Sequence, residues 1–242
     1  RAGMDKLVED LNICSQKGLA ERFDATIGSG TVCMPFGGKY QMTPSQVMAA
    51  KIPVLDGETD TASLMAYGYD PELSSLSPYK GAMAAVIEAM SKLVAAGIDP
   101  KHAWLSFQEY FGRTGDNPEK WGKPFAALLG ALKAQAELEV AAIGGKDSMS
   151  GTFEDIDVPP TLIAFAVSTA KASRIITNEW KAKDHYIYAV MPEYDENGIA
   201  DFNSVRDIFD KVYSLISSGC GKSACALEHG GTAEALLKCS LG

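Results

Sequence analysis

A strand and a long helix follow one another in residues 61–97, which read TASLMAYGYDPELSSLSPYKGAMAAVIEAMSKLVAAG. The first part alternates between two faces, as a β-strand does, and one face would carry Thr61, Ser63, Met65 and Tyr67. The second part predicts a helix from Ser77 to Gly97, because Ser77 can cap it and Pro78 suits its first position. Gly97 is expected to end that helix.

Helices and strands are predicted along the rest of the chain as well. Further helices are expected over residues 1–24, 117–140, 201–218 and 232–241. Further strands are expected over residues 31–34, 40–42, 47–54, 102–111, 140–143, 160–170, 184–192 and 223–231. This mixture predicts an α/β mixed (α+β) fold.

A new series of predicted strands and helices begins after the segment from Ala170 to Trp180, where we place a domain boundary. Residues 1–172 would form an N-terminal α/β subdomain. Residues 173–242 would form only part of a second α/β subdomain, because so few elements rarely make a stable domain. We therefore expect the chain to be a piece of a longer protein.

Composition excludes several classes of function. The 242 residues are 46% hydrophobic and carry a formal net charge of -9, which favours a folded core and argues against a nucleic-acid partner. The five cysteines include no CxxC pair, which is typical of reduced thiols in a cytoplasmic protein. No apolar run is long enough for a membrane helix.

The stretch AAIGGKDSMSGTF, residues 141–153, is a candidate ligand loop. Its glycines allow a ligand to approach the backbone, and Asp147 offers a carboxylate suited to Mg²⁺. Ser148 and Ser150 add hydroxyl groups. An ordinary turn between strands explains the same residues. The pattern does not match the phosphate-binding loop GxxxxGK[ST].

Four other features have both a structural and a functional interpretation. Asp56 would either start a turn or point a carboxylate into a cleft. Glu88 and Lys92, four residues apart on the predicted helix, would form an exposed ion pair of little energetic value. Gly230 and Gly231 would form an anion site at a helix start, and His229 would either act as a general acid or base or cap a strand. The aromatic residues of segment 104–111 are expected in a core or an interface.

Several segments, in this order, resemble the large single-chain phosphoribosylformylglycinamidine synthase of purine biosynthesis. They are KGLAERFDATIGSGTV, TPSQVMAAKIPV, residues 61–97, AAIGGKDSMSGTF, VPPTLIAFAV and HGGTAEALL. The resemblance implies a ligase that uses ATP and glutamine to convert formylglycinamide ribonucleotide to formylglycinamidine ribonucleotide. ATP would activate the formamide oxygen as an iminophosphate, and ammonia would displace the phosphate. The chain resembles the second of two halves with the aminoimidazole ribonucleotide synthase-like fold.

The resemblance also implies a set of site residues. Asp56, Glu88 and Asp147 match the ligands of Mg²⁺ at an auxiliary site for ATP or ADP. Leu55, Ser148 and Ser150 would contact the nucleotide. None of the five cysteines matches the nucleophile of the family's glutaminase domain, so that domain and the first synthetase half would be partners within the full-length chain.

Lys92 departs from the family pattern, which commonly has an asparagine ligand at this position. A protonated lysine cannot coordinate a metal. We expect Lys92 to replace one Mg²⁺ by pairing with Glu88 and with Asp56 or Asp147.

Two functions remain open for this chain, and the incomplete second subdomain argues against a third, that of a stand-alone relative of aminoimidazole ribonucleotide synthase. It either contributes a nucleotide site to the ligase while being inactive alone, or it is a non-catalytic scaffold with a vestigial pocket. In either case we expect an exposed sheet face, and a homodimer that imitates the missing pairing.

Overall fold

The computed structural model describes residues 2–23, 26 and 28–242. Its main sheet has five strands in the order β3-β4-β9-β5-β6. They are β3 (Met48–Lys51), β4 (Thr61–Gly68), β5 (Trp104–Tyr110), β6 (Ala142–Lys146) and β9 (Thr161–Lys171). Only β5 and β6 are parallel; the other neighbouring pairs are antiparallel.

Short strand pairs and seven α-helices complete the described structure. The short strands are β1 (Phe36–Gly37), β2 (Thr43–Pro44), β7 (Thr152–Phe153) and β8 (Ile156–Asp157). The helices are α1 (Ala2–Glu9), α2 (Lys17–Arg22), α3 (Pro71–Leu76), α4 (Pro78–Ala95), α5 (Pro118–Leu138), α6 (Phe202–Ser217) and α7 (Gly231–Ser240). Among the described residues, no helix is both long and apolar enough to cross a membrane.

The core forms where α4 packs on one face of the sheet. Side chains of β4 and β9 alternate between buried and more exposed positions, and the buried set includes Leu64 and Leu162. These residues and the apolar face of α4 are almost inaccessible to water, so burial of apolar area provides the main stabilisation here. Gly68 lets β4 approach α4 closely, because a Cβ there would lie 2.2 Å from the carbonyl oxygen of Ala85.

The predicted helix caps are confirmed. The Ser77 side chain accepts a hydrogen bond from the Lys80 amide, and Pro78 is the first residue of α4. Asn117 caps α5 in the same way, through the amides of Glu119 and Lys120. Predicted helix 1–24 is divided into α1 and α2, and its ends Arg1 and Asp24 lie outside the described residues.

Several strand predictions are wrong in position or in type. The strand predicted as buried over residues 140–143 is β6, which starts at Ala142 and forms an exposed edge of the sheet. Residues 184–192 and 223–231 form no strand, and the latter range only reaches the first residue of α7. Within residues 184–192, Tyr186 and Tyr188 are largely exposed, because no neighbouring strand among the described residues covers this segment.

The second face of the main sheet, called the open face below, carries exposed aromatic side chains. Tyr67 is 56% exposed and Trp104 is 47% exposed. The Tyr67 ring lies 6.5 Å from the ring of Phe165 on the neighbouring strand, measured between centroids. For the aromatic segment 104–111, the expected core position is confirmed at Phe111, which is buried. Trp104 lies on the open face, and an interface there stays a prediction.

Candidate functional site

An ion cluster centred on a buried lysine lies where α4 meets the segment before α7. Lys92 is only 2% exposed. Its Nζ lies 2.7 Å from Oε1 of Glu88, one turn earlier in α4, and 2.7 Å from Oε1 of Glu228. The same ammonium donates to the carbonyl oxygen of Tyr67 at 2.9 Å and lies 4.6 Å from the centroid of the Tyr67 ring.

Within this ion cluster, the opposite charges of Lys92 and Glu228 favour each other's ionised form. Burial alone would lower the pKa of Lys92, but the charges and hydrogen bonds of Glu228 and Glu88 outweigh burial and raise that pKa. Burial likewise opposes ionisation of Glu228, yet Lys92 holds the pKa of Glu228 below its ordinary value. Burial raises the pKa of Glu88 more than Lys92 lowers it, since one ammonium is shared between two carboxylates.

Part of the prediction for Lys92 is confirmed and part is wrong. Lys92 does pair with Glu88, as expected, but the pair is buried and is not a solvated pair on a helix surface. The second carboxylate is Glu228, not Asp56 or Asp147. Glu228 lies far along the chain in a segment without regular structure, and its position depends on tertiary packing.

A second acidic pair lies at the ends of the parallel strands β5 and β6. The register pairs Gln108 with Lys146, which places Glu109 and Asp147 at successive, neighbouring positions. Glu109 is 5% exposed, and its Oε1 atom is buried without a hydrogen-bond partner. Burial, and then the charge of Asp147, raise the pKa of Glu109 to about 7. Sequence reasoning did not single out Glu109.

The loop after Asp147 is held close to the end of β5. The Phe111 amide donates to the Ser148 carbonyl at 2.9 Å, and the Gly151 amide donates to the Phe111 carbonyl at 2.9 Å. The hydroxyl oxygens of Ser148 and Ser150 lie 2.7 Å apart. Asp147 itself is exposed, so the loop presents one carboxylate and two hydroxyl groups near the orphaned oxygen of Glu109.

The predicted Mg²⁺ ligands do not gather at one point. Asp56 lies in an exposed bend between β3 and β4, and Leu55 beside it is fully exposed. Glu88 belongs to the Lys92 cluster, whereas Asp147 is beside Glu109. Across the part of the chain that the structure describes, no three His, Cys, Asp or Glu side chains are grouped to hold a metal ion. The Mg²⁺ ligand set therefore stays a prediction.

The predicted anion site at the start of α7 is filled by the chain itself. The Gly230 amide donates to Oε2 of Glu234 at 2.7 Å, and Glu234 also pairs with Lys238. His229 lies at the surface, where its Nε2 is 4.0 Å from Oδ2 of Asp10. The partial positive charge at the start of α7 is therefore neutralised by Glu234 and not by a bound anion.

Comparison with known proteins finds curated relatives named as PurL subunits. No family model matches the chain. The phosphoribosylformylglycinamidine synthase subunit PurL of Methanocaldococcus jannaschii is 24% identical over 258 residues, which cover 96% of this chain and 33% of the relative. The same subunit of Picrophilus torridus is 24% identical over 255 residues, covering 98% and 33%. The chain therefore spans about a third of the length of these curated relatives.

Solved structures of PurL from Thermotoga maritima share the fold. The complex with ADP has a TM-score of 0.62 at 14% identity and covers 88% of this chain and 32% of that chain. The complex with ATP has a TM-score of 0.57 at 16% identity and covers 84% and 30%. The predicted fold class and the resemblance to phosphoribosylformylglycinamidine synthase are confirmed.

Proposed function

We propose that the chain belongs to the second synthetase half of a phosphoribosylformylglycinamidine synthase. The full-length protein would convert formylglycinamide ribonucleotide to formylglycinamidine ribonucleotide with ATP and glutamine. The observation that carries this proposal is similarity to PurL along almost the whole chain, together with the shared fold. Because the chain spans only a third of these relatives, the first synthetase half and a glutaminase domain would act as partners and the piece alone would be inactive.

The contribution of this chain would be the auxiliary nucleotide site at the Asp147 loop. Mg²⁺ prefers oxygen ligands, commonly binds through one or two carboxylates, and completes its shell with water and phosphate oxygens. Glu109 and Asp147 fit that description, since Glu109 has a buried carboxylate oxygen without a partner and Asp147 lies next to it. Bound there, Mg²⁺ would neutralise the phosphates of ATP or ADP, and Ser148 and Ser150 would donate hydrogen bonds to them.

Lys92 would take the place of a second cation. Its ammonium already lies 2.7 Å from both Glu88 and Glu228, so it offsets part of the charge that a metal ion would otherwise offset. A fixed cation of this kind stays in place when Mg²⁺ is removed. The proposed site would hence need fewer metal ions than its acidic residues suggest.

Calorimetric titration of ADP with and without Mg²⁺ tests the nucleotide site. We expect binding that requires Mg²⁺ and that weakens by roughly tenfold in Asp147→Asn or Glu109→Gln, the scale typical of lost metal-site contacts. Asp116→Asn, which removes an exposed carboxylate elsewhere, is the matched control. Lys92→Asn should raise the amount of Mg²⁺ needed; tight binding left unchanged by this variant would overturn the role of Lys92.

The scaffold alternative is less supported, because the solved structures with this fold include PurL complexes with ADP and with ATP. The ion cluster around Lys92 is the feature that a vestigial pocket would share. Absence of ADP binding to the chain at millimolar concentration, with the fold intact by circular dichroism, would favour the scaffold.

The open face of the main sheet would pair with the first synthetase half in the full-length protein. Exposed aromatic side chains on one sheet face mark an interaction surface. In the isolated chain we expect a homodimer through this face. Light scattering over rising protein concentration should show a mass that doubles, and Tyr67→Ser with Trp104→Ser should weaken association. A strictly monomeric mass at high concentration contradicts this inference.

A further inference from the structure

Two of the five cysteines are in direct contact. Cys225 lies in the segment before α7 and Cys239 lies in the last turn of that helix. Their Sγ atoms are 3.5 Å apart. No disulfide is present, and all five cysteines are free thiols among the described residues.

Both thiols are held in place by their neighbours. Ala226, next to Cys225, exchanges two hydrogen bonds with the Gln46 side chain, at 2.8 and 2.9 Å. The carbonyl of Cys239 accepts a hydrogen bond from the Trp180 amide at 3.0 Å. The backbone beside each of the two contacting thiols is therefore held by hydrogen bonds to other parts of the chain.

The two thiols have different surroundings. Cys239 is buried, whereas Cys225 is half-buried and lines a small cleft with Gln46, Glu228 and Lys238. The S–H group of Cys239 hydrogen-bonds to Cys225 and lowers the pKa of Cys225, although burial and the charges of Glu228 and Glu234 act in the opposite direction. The same hydrogen bond and burial raise the pKa of Cys239. One sulfur is thus favoured as a thiolate and its neighbour as a thiol.

We propose that Cys225 and Cys239 form a peroxide-oxidisable dithiol, in which Cys225 attacks the oxidant and Cys239 closes the disulfide. The Cys225 thiolate attacks one oxygen of hydrogen peroxide, the O–O bond breaks, and hydroxide leaves to take a proton as water. The product is a sulfenic acid at Cys225. Cys239 then attacks the Cys225 sulfur, the S–O bond breaks, and the departing hydroxyl leaves as water with the Cys239 proton. Two thiols lose two electrons and one peroxide yields two waters.

Oxidation would close a covalent ring that contains Glu228. This residue lies between the two cysteines and pairs with Lys92 at 2.7 Å. A disulfide would thus tie the segment that carries Glu228 to α7. In a reducing compartment such a bond is transient and suited to sensing.

The test uses the chain as it is, because trypsin separates the two cysteines. Cleavage after Lys222 and Lys238 places Cys225 in peptide 223–238 and Cys239 in peptide 239–242. After a limited dose of hydrogen peroxide and alkylation of remaining thiols, we expect these peptides joined, with a mass lower than their sum by two hydrogen atoms. Dithiothreitol should separate them. Separate, alkylated peptides at a dose that oxidises the exposed Cys220 would overturn the proposal.

Single variants test the order of attack. In Cys239→Ser, the Cys225 sulfenic acid should persist and be trapped by dimedone, whereas Cys225→Ser should leave Cys239 unreacted at the same dose. Cys220→Ser is the matched control and should form the bridge at the wild-type rate. Faster dimedone labelling of Cys239 than of Cys225 would overturn the assigned roles. If Cys239→Ser does not fold, detection of the disulfide-linked peptides 223–238 and 239–242 from the unaltered chain still tests the proposal.

Discussion

Glu88 and Glu109 are both largely shielded from water, but only Glu88 has a positively charged partner. Glu88 shares the Lys92 ammonium with Glu228 and accepts a further hydrogen bond from the Tyr69 amide at 3.2 Å. Glu109 has an oxygen without any partner and Asp147 as its neighbour. A buried carboxylate that lacks a cation is costly. The Lys92 cluster contains a cation of its own, whereas Glu109 needs a proton or an added cation.

Removing the Lys92 ammonium should produce the largest effect. Lys92→Met would leave Glu88 and Glu228 close together without a cation, and we expect a loss of about 3 kcal/mol in the free energy of unfolding at pH 7.5. The loss should shrink near pH 5, since the carboxylates then bind protons. Urea unfolding followed by circular dichroism measures both values.

Lys120→Met is the matched control for that experiment. Lys120 and Asp157 form a partly exposed pair at 3.2 Å, and loss of such a pair costs less than about 1 kcal/mol. If Lys92→Met were no more destabilising than Lys120→Met, the Lys92 ammonium would not be what stabilises the charges of Glu88 and Glu228.

Glu109→Gln should have a smaller effect of the opposite sign. The pKa of Glu109 is raised from 4.5 to about 7 in the folded chain, so its contribution to stability is present below pH 4.5 and is lost as the pH rises through 7. Without Mg²⁺ at pH 8, we expect Glu109→Gln to be more stable than the unaltered chain by about 2 kcal/mol.

The pH dependence provides the internal control for Glu109→Gln. Near pH 4.5 the carboxyl group is mostly protonated in the folded chain, so the two proteins should unfold at nearly the same urea concentration. Glu58→Gln, at an exposed position, should change stability little at either pH. Equal stability of Glu109→Gln and the unaltered chain at pH 8 would contradict the raised pKa of Glu109.

The core elements could be predicted from sequence because their signals are local. Ser77 with Pro78 and Asn117 with Pro118 specify the starts of α4 and α5 through backbone amides within the next turn. The alternation in residues 61–68 specifies which side of β4 faces the helices. The apolar segment 184–192 has a similar strand pattern, but a strand also needs a neighbour for its backbone groups, and the described chain supplies none.

The two acidic sites could not be predicted in full, because tertiary contacts between distant segments bring their residues together. Glu228 reaches Lys92 only because the segment before α7 packs against α4. Glu109 could have been found from the sequence. It lies four residues after the buried Leu105 in the strand WLSFQEY, so strand alternation places both on the same face. A charged residue on the buried side of an apolar strand is uncommon and needs a partner. Its neighbour Asp147 became apparent only from the parallel register of β5 and β6.

Asp147→Asn should give the smallest effect of these variants. It separates the two causes of the raised pKa of Glu109, burial and the charge of Asp147. Burial is the larger cause of its raised pKa and the Asp147 charge is the second. We therefore expect the pKa of Glu109 to fall in Asp147→Asn yet to stay above 4.5, as measured by carbon NMR of the side-chain carboxyl over a pH series. Glu88 should keep its titration midpoint, because it belongs to the Lys92 cluster. A Glu109 midpoint left unchanged would mean that the exposed Asp147 carboxylate is screened by water, and the two groups would then not act as one cation site.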